Sequence, residues 1–370
     1  FPDYAGPGGW DPSATGSSAD RQSGLGLGTE GEDLGRGLLD AYALALHVLW
    51  TYQEAWADEG FLVLAQLDGS VERLLAQISY LVESHRAREF FVVDDQFAQD
   101  RKETLRFCRL LRDYQQRLGL RLFLTVQIRL DCAGDAELLT AMRACGIGGL
   151  AIGIESPIDE ELRAMGKRLR AAEMAELART YHRHGFLVHG MFIFGYPLRP
   201  GVTFEMSGAE RVRRFRAFFR RARLDTMQVL LPVPLPGTAL RARLEKAGRV
   251  LPATEIGWEY YDGNFPLILP DAPLTPEVAL QSLQTLMGGF YRFRRMLAVL
   301  LHTLRFPLAM LPLVNLRARW SKWYRRWRNA VIGSAGYFIV RNWRKAFRSG
   351  PFQEKLRRCL AGTLPRPGGS

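Results

Sequence analysis

Cysteine is scarce in this sequence, and its spacing excludes two kinds of protein. The 370 residues contain four cysteines, at positions 108, 132, 145 and 359, so that successive cysteines stand 24, 13 and 214 positions apart. No two are close enough for a compact metal knot, and four cysteines in a chain of this length do not build a dense disulfide framework. This scarcity favours a reducing, cytoplasmic compartment.

The opening residues do not have the pattern of a secretory signal. The chain begins with Phe1, and no basic flank leads into an apolar run with a small-residue cleavage site. Residues 1–32 are rich in Gly, Ser and Asp and have almost no periodic apolar pattern, so they bury too little surface to offset chain entropy. We expect a poorly packed leader over residues 1–65, with one helix at about 38–56, and a chain that begins partway through a longer protein.

Acidic residues are absent from one long segment near the carboxyl end. Residues 291–350 contain 14 Lys plus Arg and no Asp or Glu, whereas the net charge of the whole chain is +12, which leaves about −2 for the rest. The apolar run at 296–314 is interrupted by His302, Arg305, Pro307 and Pro312, which argues against a membrane span. The first interpretation of this basic, aromatic segment is a helical cover, followed by peripheral contact with an anionic membrane, and then by nucleic-acid binding.

Short apolar runs that alternate with amphipathic stretches dominate the middle of the chain. Such runs are covered on both faces by crossover helices, and they therefore predict an α/β fold with a parallel sheet, either a barrel or part of one. We assign the barrel core to 66–240 and a helical extension to 241–370. Helices are predicted at 70–85, at 100–119, at 135–146, at 171–185 and from about Thr275. The five runs are FFVVDD (90–95), LFLTVQI (122–128), GLAIGIE (149–155), LVHGMFIFG (187–195) and TMQVLLPVP (226–234).

Polar side chains recur where these runs end, which is where parallel α/β folds place their active sites. Asp94 and Asp95 form either a turn or part of a site, whereas Asp131 and Asp135 are better explained as caps. Glu155 follows a buried run directly and needs a partner there. His182 and His184 are two apart on a helix and point away from each other, so we interpret them as a solvated helix end rather than a metal site.

Four motifs, in this order and at these separations, resemble the core of radical S-adenosylmethionine enzymes. They are FFVVDDQFAQDR, GGLAIGIESPIDEELRAMGK, HGFLVHGMFIFGYP and LLPVPLPGTAL, and the resemblance extends over about residues 70–270. It is strongest to the branch with a cobalamin-binding domain. The resemblance implies a partial (β/α)6 barrel, with S-adenosylmethionine, a [4Fe-4S] cluster and, in a full-length protein, cobalamin as cofactors.

The same resemblance implies a set of cofactor-binding residues. Asp94 and Asp95 would meet the amino group of the methionine moiety, and Glu155 would lie near its ribose and methionine end, with Ser156 beside it. Gly190, Phe194 and Gly195 would lie along the adenine, and Gln127 and Arg129 would face the substrate or cofactor cavity. Carboxylates suit an ammonium group, and apolar walls with exposed backbone suit a flat base.

One departure from the family is serious, because the CxxxCxxC loop that binds the cluster is missing. The stretch YQEAWADEGFLVLAQLDGSVERLLAQI contains no cysteine, so neither metal ligands nor catalytic residues can be named. The sequence is then either an incomplete radical enzyme that acts on a hydrophobic, lipid-like substrate by methyl transfer or rearrangement, or a cluster-free relative that still binds S-adenosylmethionine. A metal-dependent barrel hydrolase using Asp94, Asp95 and His189 is the alternative from another class.

Overall fold

The computed structural model describes residues 61–64, 70–94, 96–202, 204–305 and 316–363. The predicted helix at 38–56 and the predicted ligand Asp95 lie outside these ranges. Within them, the molecule is built on one parallel sheet with helices packed against it.

The sheet has six strands in the order β1-β2-β3-β4-β5-β6, and all neighbouring strands are parallel. No pairing closes β6 onto β1 among the described residues, so the sheet is a partial barrel, as predicted. The five predicted strands are present, and a sixth, β1, lies within the interval that the sequence assigned to the leader. The strands are β1 (Phe61–Leu64), β2 (Glu89–Val92), β3 (Phe123–Gln127), β4 (Ile147–Glu155), β5 (Leu187–Ile193) and β6 (Thr226–Leu230).

Helices cross over between successive strands. Those of the barrel are α1 (Val71–His85), α2 (Arg101–Leu118), α3 (Ala136–Ala144), α4 (Asp159–Ala164), α5 (Ala171–Arg183) and α6 (Gly208–Ala222). After β6 follow α7 (Ala239–Lys246), α8 (Ala253–Ile256), α9 (Pro276–Phe290), α10 (Arg294–Leu304), α11 (Leu316–Ser349) and α12 (Phe352–Thr363). Short 3-10 helices occupy Leu130–Gly134 and Trp258–Tyr260.

Local sequence signals set the helix boundaries. The side chains of Ser70, Asp100, Asp135 and Thr275 each accept a hydrogen bond from a backbone N–H of the first helical turn, which satisfies donors that the helix leaves unpaired. Gly119 ends α2 in the left-handed conformation with φ +63°, which glycine adopts without steric cost. The predicted helix limits are therefore confirmed to within two residues.

Alternate residues of each strand face opposite sides of the sheet. One side packs on the barrel helices and forms the main core, with side chains such as Phe90, Leu124, Ile152 and Phe192 almost fully buried. The other, which we call the inner face, carries Phe91, Thr125, Gln127, His189 and other half-buried residues. The core thus lies between sheet and helices, while the inner face is available for ligands.

The carboxyl-terminal extension is attached to the edge strand β6. The hydroxyl of Tyr291 donates to the carbonyl oxygen of Met227 at 2.8 Å and accepts from the N–H of the same residue at 2.9 Å. A second core around Leu251, Tyr261 and Phe352 fixes α12 against the segment after α7. In the described ranges no helix is both long and apolar enough to cross a membrane.

Candidate functional site

Backbone hydrogen bonds hold the loops at the carboxyl edge of the sheet close to one another. The N–H of Phe97, in the loop after β2, donates to the carbonyl oxygen of Gln127 at the end of β3, at 3.0 Å. Ile128 bonds in the same way to Ala151 of β4 at 3.0 Å, and Phe194 to Leu230 of β6 at 2.8 Å. The strand ends that the sequence marked as polar are therefore neighbours in space.

Asp94 lines an open cleft beside this edge. The cleft has a volume of about 730 Å³ and lies between α1, the loop after β2 and the first turn of α2, where Arg101 and Lys102 also line it. The Oδ1 atom of Asp94 accepts the N–H of Gln96 at 2.9 Å, which is the turn geometry that the sequence allowed as an alternative. No hydrogen bond from a described residue reaches Oδ2, so one carboxylate oxygen is available to a ligand.

Glu155 ends β4 in a left-handed backbone conformation, which residues other than glycine rarely adopt. Its φ is +68°, and the register between β4 and β5 shifts between Gly153 and Glu155. A left-handed residue that is not glycine costs about 1–2 kcal/mol, and such strain gathers at functional sites. The carboxylate is 23% exposed, and its Oε1 lies 3.3 Å from Nζ of Lys167. The register shift therefore leaves a mostly buried carboxylate, paired with Lys167, at the carboxyl edge of the sheet.

Gln127 and Arg129 have different surroundings, although only Ile128 separates them. The Gln127 side chain is half-buried on the inner face, whereas Arg129 is exposed and forms a two-pronged ion pair with Asp131, at 3.1 and 2.6 Å. This hydrogen bonding raises the pKa of Arg129 and lowers the pKa of Asp131. Asp131 thus occupies the Nε and Nη2 donors of Arg129, and a ligand that needs both of them would have to displace it.

Ser156 belongs to a buried polar network. Its hydroxyl donates to Glu161, which in turn pairs with the guanidinium of Arg211, and all three residues are at most 3% exposed. Burial raises the pKa of Glu161 to about 7, and the neighbouring Arg211 opposes that rise. The hydroxyl of Ser156 is thus engaged inside the protein, and it also accepts the N–H of Ile158 at 3.1 Å.

Gly190, Phe194 and Gly195 turn toward packed side chains. A Cβ on Gly190 would lie 2.8 Å from side-chain atoms of both Leu224 and Phe192, and one on Gly195 would lie 2.8 Å from Leu274. The ring of Phe194 is fully buried, with its centroid 5.3 Å from that of Phe215. Close packing therefore explains why these positions hold glycine, phenylalanine and glycine. Contact of their backbone with adenine stays a prediction.

His189 lines a separate cavity at the opposite, amino end of the inner face. This cavity has a volume of about 210 Å³; its walls include the first residues of four strands, and Ile332, Gly336 and Ile339 of α11 close it. Nδ1 of His189 lies 2.9 Å from Oγ1 of Thr226, and burial lowers the pKa of the imidazole to about 4. His189 and Asp94 line different cavities, so these two residues of the hydrolase hypothesis are not brought together.

His182 is not the solvated residue that the sequence suggested. Its Nε2 lies 3.1 Å from Oδ2 of Asp225, the residue just before β6, and the same oxygen accepts the N–H of Val188 at 2.8 Å. The carboxylate of Asp225 at this distance raises the pKa of His182. His184, by contrast, ends α5 with Nδ1 3.0 Å from the carbonyl oxygen of Thr180. Helix periodicity could not have identified Asp225, which is 43 positions further along the chain.

The cysteines do not fit a [4Fe-4S] cluster. All four lie in the described ranges: Cys108 on α2 and Cys145 at the end of α3 are buried, Cys132 is in the turn after β3, and Cys359 is on α12. Hydrogen bonding to Cys145 and burial raise the pKa of Cys108, burial raises the pKa of Cys132, and burial raises that of Cys359 to about 11. These three thiols resist forming the thiolates that iron requires, whereas hydrogen bonding to Cys108 lowers the pKa of Cys145, and one thiolate cannot hold a cluster. No group of three candidate ligands for a metal ion was found in the part of the chain that the structure describes.

Sequence reasoning missed two charged residues that organise this edge. Lys167 contacts Glu155, and Arg211 neutralises Glu161 from α6. Lys167 lies within the second quoted motif, twelve positions after Glu155, so the motif itself held a signal. Arg211 is one of several arginines on α6, and nothing in its local sequence marks it as buried.

Three curated proteins are similar to about half of this chain. The chain is 26% identical over 181 residues to the hopanoid C-2 methylase of Rhodopseudomonas palustris, which covers 49% of this chain and 33% of that protein. It is also 26% identical to uncharacterized methyltransferases of Synechocystis, over 48% of this chain and 32% of the relative, and of Pyrococcus horikoshii, over 46% and 34%. The chain thus spans about a third of the length of the curated relatives it matches.

Solved structures show weaker likeness. The radical S-adenosylmethionine methyltransferase TsrM from Kitasatospora setae, with cobalamin and a [4Fe-4S] cluster bound, is 15% identical, with a TM-score of 0.46 over 70% of this chain and 55% of that chain. Coproporphyrinogen III oxidase from Escherichia coli, a radical SAM enzyme, is 12% identical with a TM-score of 0.39 over 60% and 51%. The strand order of this chain defines its fold independently of these structures.

One family model matches elsewhere in the chain. The model of the bacteriophage baseplate protein, N-terminal domain, matches residues 16–77, which is well under half of the sequence and mostly outside the described ranges. Within the described residues it overlaps only β1 and the first half of α1. The chain is thus similar over about half of its length to a methylase and to two methyltransferases, and its ordered strand-end motifs resemble the core of radical S-adenosylmethionine enzymes.

Proposed function

We propose that this chain provides the S-adenosylmethionine-binding barrel of a methyltransferase that acts on a hydrophobic substrate. The observation that carries the proposal is the strained carboxylate of Glu155, which is held at the carboxyl end of β4 with Lys167 as its partner. Maintaining a left-handed glutamate is costly, and the cost is explained when its carboxylate binds a ligand.

The neighbouring groups match the chemistry of this nucleoside. S-adenosylmethionine presents an ammonium group and ribose hydroxyls, which are hydrogen-bond donors, and carboxylate oxygens accept from both. Asp94 has one oxygen available on the cleft side, and Glu155 offers its carboxylate at the next strand end but one. Lys167 pairs with the carboxylate of Glu155 and orients it before the ligand arrives. Because the cysteines do not fit a cluster, no reductive step is assigned to these residues.

The substrate class follows from the inner face and from the relatives. Met191, Ile193 and Leu230 are half-buried apolar side chains in its carboxyl half, and one matched relative is by name a methylase of hopanoids. Apolar walls of this kind bury hydrocarbon at about 25 cal/mol per Å² of surface removed from water. A polycyclic or long-chain hydrocarbon is therefore the proposed substrate.

Calorimetric titration with S-adenosylmethionine and S-adenosylhomocysteine tests the proposal. Glu155→Gln and Asp94→Asn should each weaken binding about tenfold or more, since a hydrogen bond to a charged group contributes roughly 1.5–3 kcal/mol. Asp113→Asn, an exposed carboxylate on α2, is the matched control and should bind like the parent chain. Absence of nucleoside binding to the parent chain, or equal affinity in Glu155→Gln, would overturn the assignment.

A further inference from the structure

We propose that α10 and the first turns of α11 form a docking surface for a lipid bilayer that contains anionic headgroups. We call it the leucine–aromatic surface, and it consists of Leu297, Leu300, Leu301, Leu304, Trp320 and Tyr324. This inference concerns a partner and does not depend on nucleoside binding.

The leucines form one continuous exposed stripe. They stand at positions i, i+3, i+4 and i+7 of α10, which places them on one face of the helix, and each is between 41 and 64% exposed. In an ordinary surface helix, the apolar stripe faces the core and is buried. Here the stripe faces outward, which marks an interaction surface.

The other side of α10 is already occupied by α11. The indole N–H of Trp323 donates to the carbonyl oxygen of His302 at 2.8 Å, and that of Trp327 donates to the hydroxyl of Thr303 at 3.1 Å. These bonds fix the rotation of α10 on α11. The leucine stripe cannot turn inward without breaking them.

Aromatic rings continue the surface on α11. Trp320 is 47% and Tyr324 41% exposed, and their rings stack with centroids 6.1 Å apart. Trp and Tyr concentrate at membrane–water boundaries because one part of each ring system is apolar and another is polar. Their position beside aliphatic residues matches a boundary between acyl chains and headgroups.

The positive charge around the leucine–aromatic surface favours anionic lipid headgroups. Residues 291–350 hold 14 Lys plus Arg and no acidic residue, and Arg294, Arg305, Arg319 and Arg326 are exposed on the two helices that carry the surface. Such a region attracts anionic lipids and is not neutralised from within. Phosphate of a nucleic acid would satisfy the arginines but not the four leucines, so the bilayer is favoured.

Sedimentation with vesicles of phosphatidylcholine alone, or of phosphatidylcholine mixed with phosphatidylglycerol, tests the proposal on the full chain. We expect binding to the mixed vesicles that decreases as salt is added. The double variant Leu300→Gln, Leu304→Gln should partition at least tenfold more weakly. The double variant Leu118→Gln, Val202→Gln removes two equally exposed apolar residues elsewhere and should bind like the parent.

Three results of the vesicle assay would overturn the inference. They are no binding to the mixed vesicles, equal binding of the leucine variant and its control, and sedimentation of the parent without vesicles that the leucine variant abolishes, which would indicate self-association. A filter-binding assay with duplex DNA and RNA completes the test: tighter retention of nucleic acid than of mixed vesicles would also contradict it. All four substituted side chains are exposed, so unchanged thermal unfolding verifies that the variants are folded.

Discussion

The backbone conformation of Glu155 serves the proposed ligand binding and not the stability of the fold. Three described residues other than glycine have a positive φ, and the other two, Arg86 and Arg223, end helices, where the left-handed conformation is a common way to terminate. Glu155 instead ends a strand at a register shift, beside the lysine that pairs with it. Its conformation is therefore explained by the direction of its carboxylate and not by a helix end.

Glu155→Gly should raise the free energy of unfolding by up to about 1 kcal/mol while it abolishes the proposed nucleoside binding, because glycine adopts φ +68° without steric cost. Urea denaturation and calorimetry measure the two effects. Arg223→Gly, at φ +55° on the exposed end of α6, should give a similar gain with binding unchanged. A loss of stability in Glu155→Gly would show that its pairing with Lys167 outweighs the strain.

The pair between His182 and Asp225 makes stability depend on pH. Since Asp225 raises the folded-state pKa of His182, its contribution is complete below about pH 6.5, the unfolded value, and is lost as pH rises through the folded value. The free energy of unfolding should therefore fall over that interval, and His182→Gln should remove this fall. Denaturation curves across a pH series provide the measurement, with the exposed His85→Gln as control. An identical slope in His182→Gln would contradict the argument.

At the scale of elements, the carboxyl-terminal extension stabilises the exposed edge of the sheet. Strand β6 is last in the sheet, so its outer backbone groups need partners, and Tyr291 at the end of α9 provides them for Met227. Gly336 of α11 lies against the ring of Tyr291, where a Cβ would come within 2.3 Å of it. Sheet edge, α9 and α11 are thus joined at one residue.

Tyr291→Phe should destabilise the protein by about 1–3 kcal/mol, because it leaves a buried N–H and a buried carbonyl oxygen of β6 without the hydroxyl. Thermal and urea unfolding measure the loss, and hydrogen exchange should show the amide of Met227 less protected. Tyr80→Phe, on an exposed ring of α1, should have no comparable effect. If Met227 stays equally protected, another group must satisfy it.

Elements with strong periodic signals were predictable, and those whose position depends on distant partners were not. The runs that became β2 to β6 are flanked by capped helices, so both type and limits followed from residues such as Asp100 and Gly119. The four-residue β1 lacks alternation and follows an unpatterned stretch, and only its pairing with β2 reveals it. For the site, the strand-end carboxylates were identified from sequence, whereas Lys167 and Arg211 required the fold.

At the scale of the whole molecule, the distribution of cysteines bears on which cofactor this chain can hold. The four cysteines lie on α2, after β3, at the end of α3 and on α12. Two of them are buried in the helical layer of the barrel, away from the carboxyl edge. These cysteines therefore supply no set of three iron ligands at that edge, and nucleoside binding there is a proposal.

Incubation of this chain with ferrous iron and sulfide under reducing conditions should give no cluster, because no three of its thiols converge. The measurement is visible absorbance together with bound iron after desalting, with denatured protein as a reference for non-specific uptake. Stoichiometric iron with cluster absorbance, lost in Cys132→Ser, would show that the folded cysteines can rearrange. Nucleoside binding should persist in the iron-free protein.

The 34-residue length of α11 sets a distance. Its early turns carry Trp320 and Tyr324. Its middle carries Ile332 and Ile339, which line the cavity at the amino end of the sheet. Trp320 and Ile332 are twelve residues apart on one unbroken helix, which corresponds to about 18 Å at a rise of 1.5 Å per residue. The helix acts as a spacer: whatever surface the aromatic end contacts, the amino end of the sheet is kept at a fixed distance from it.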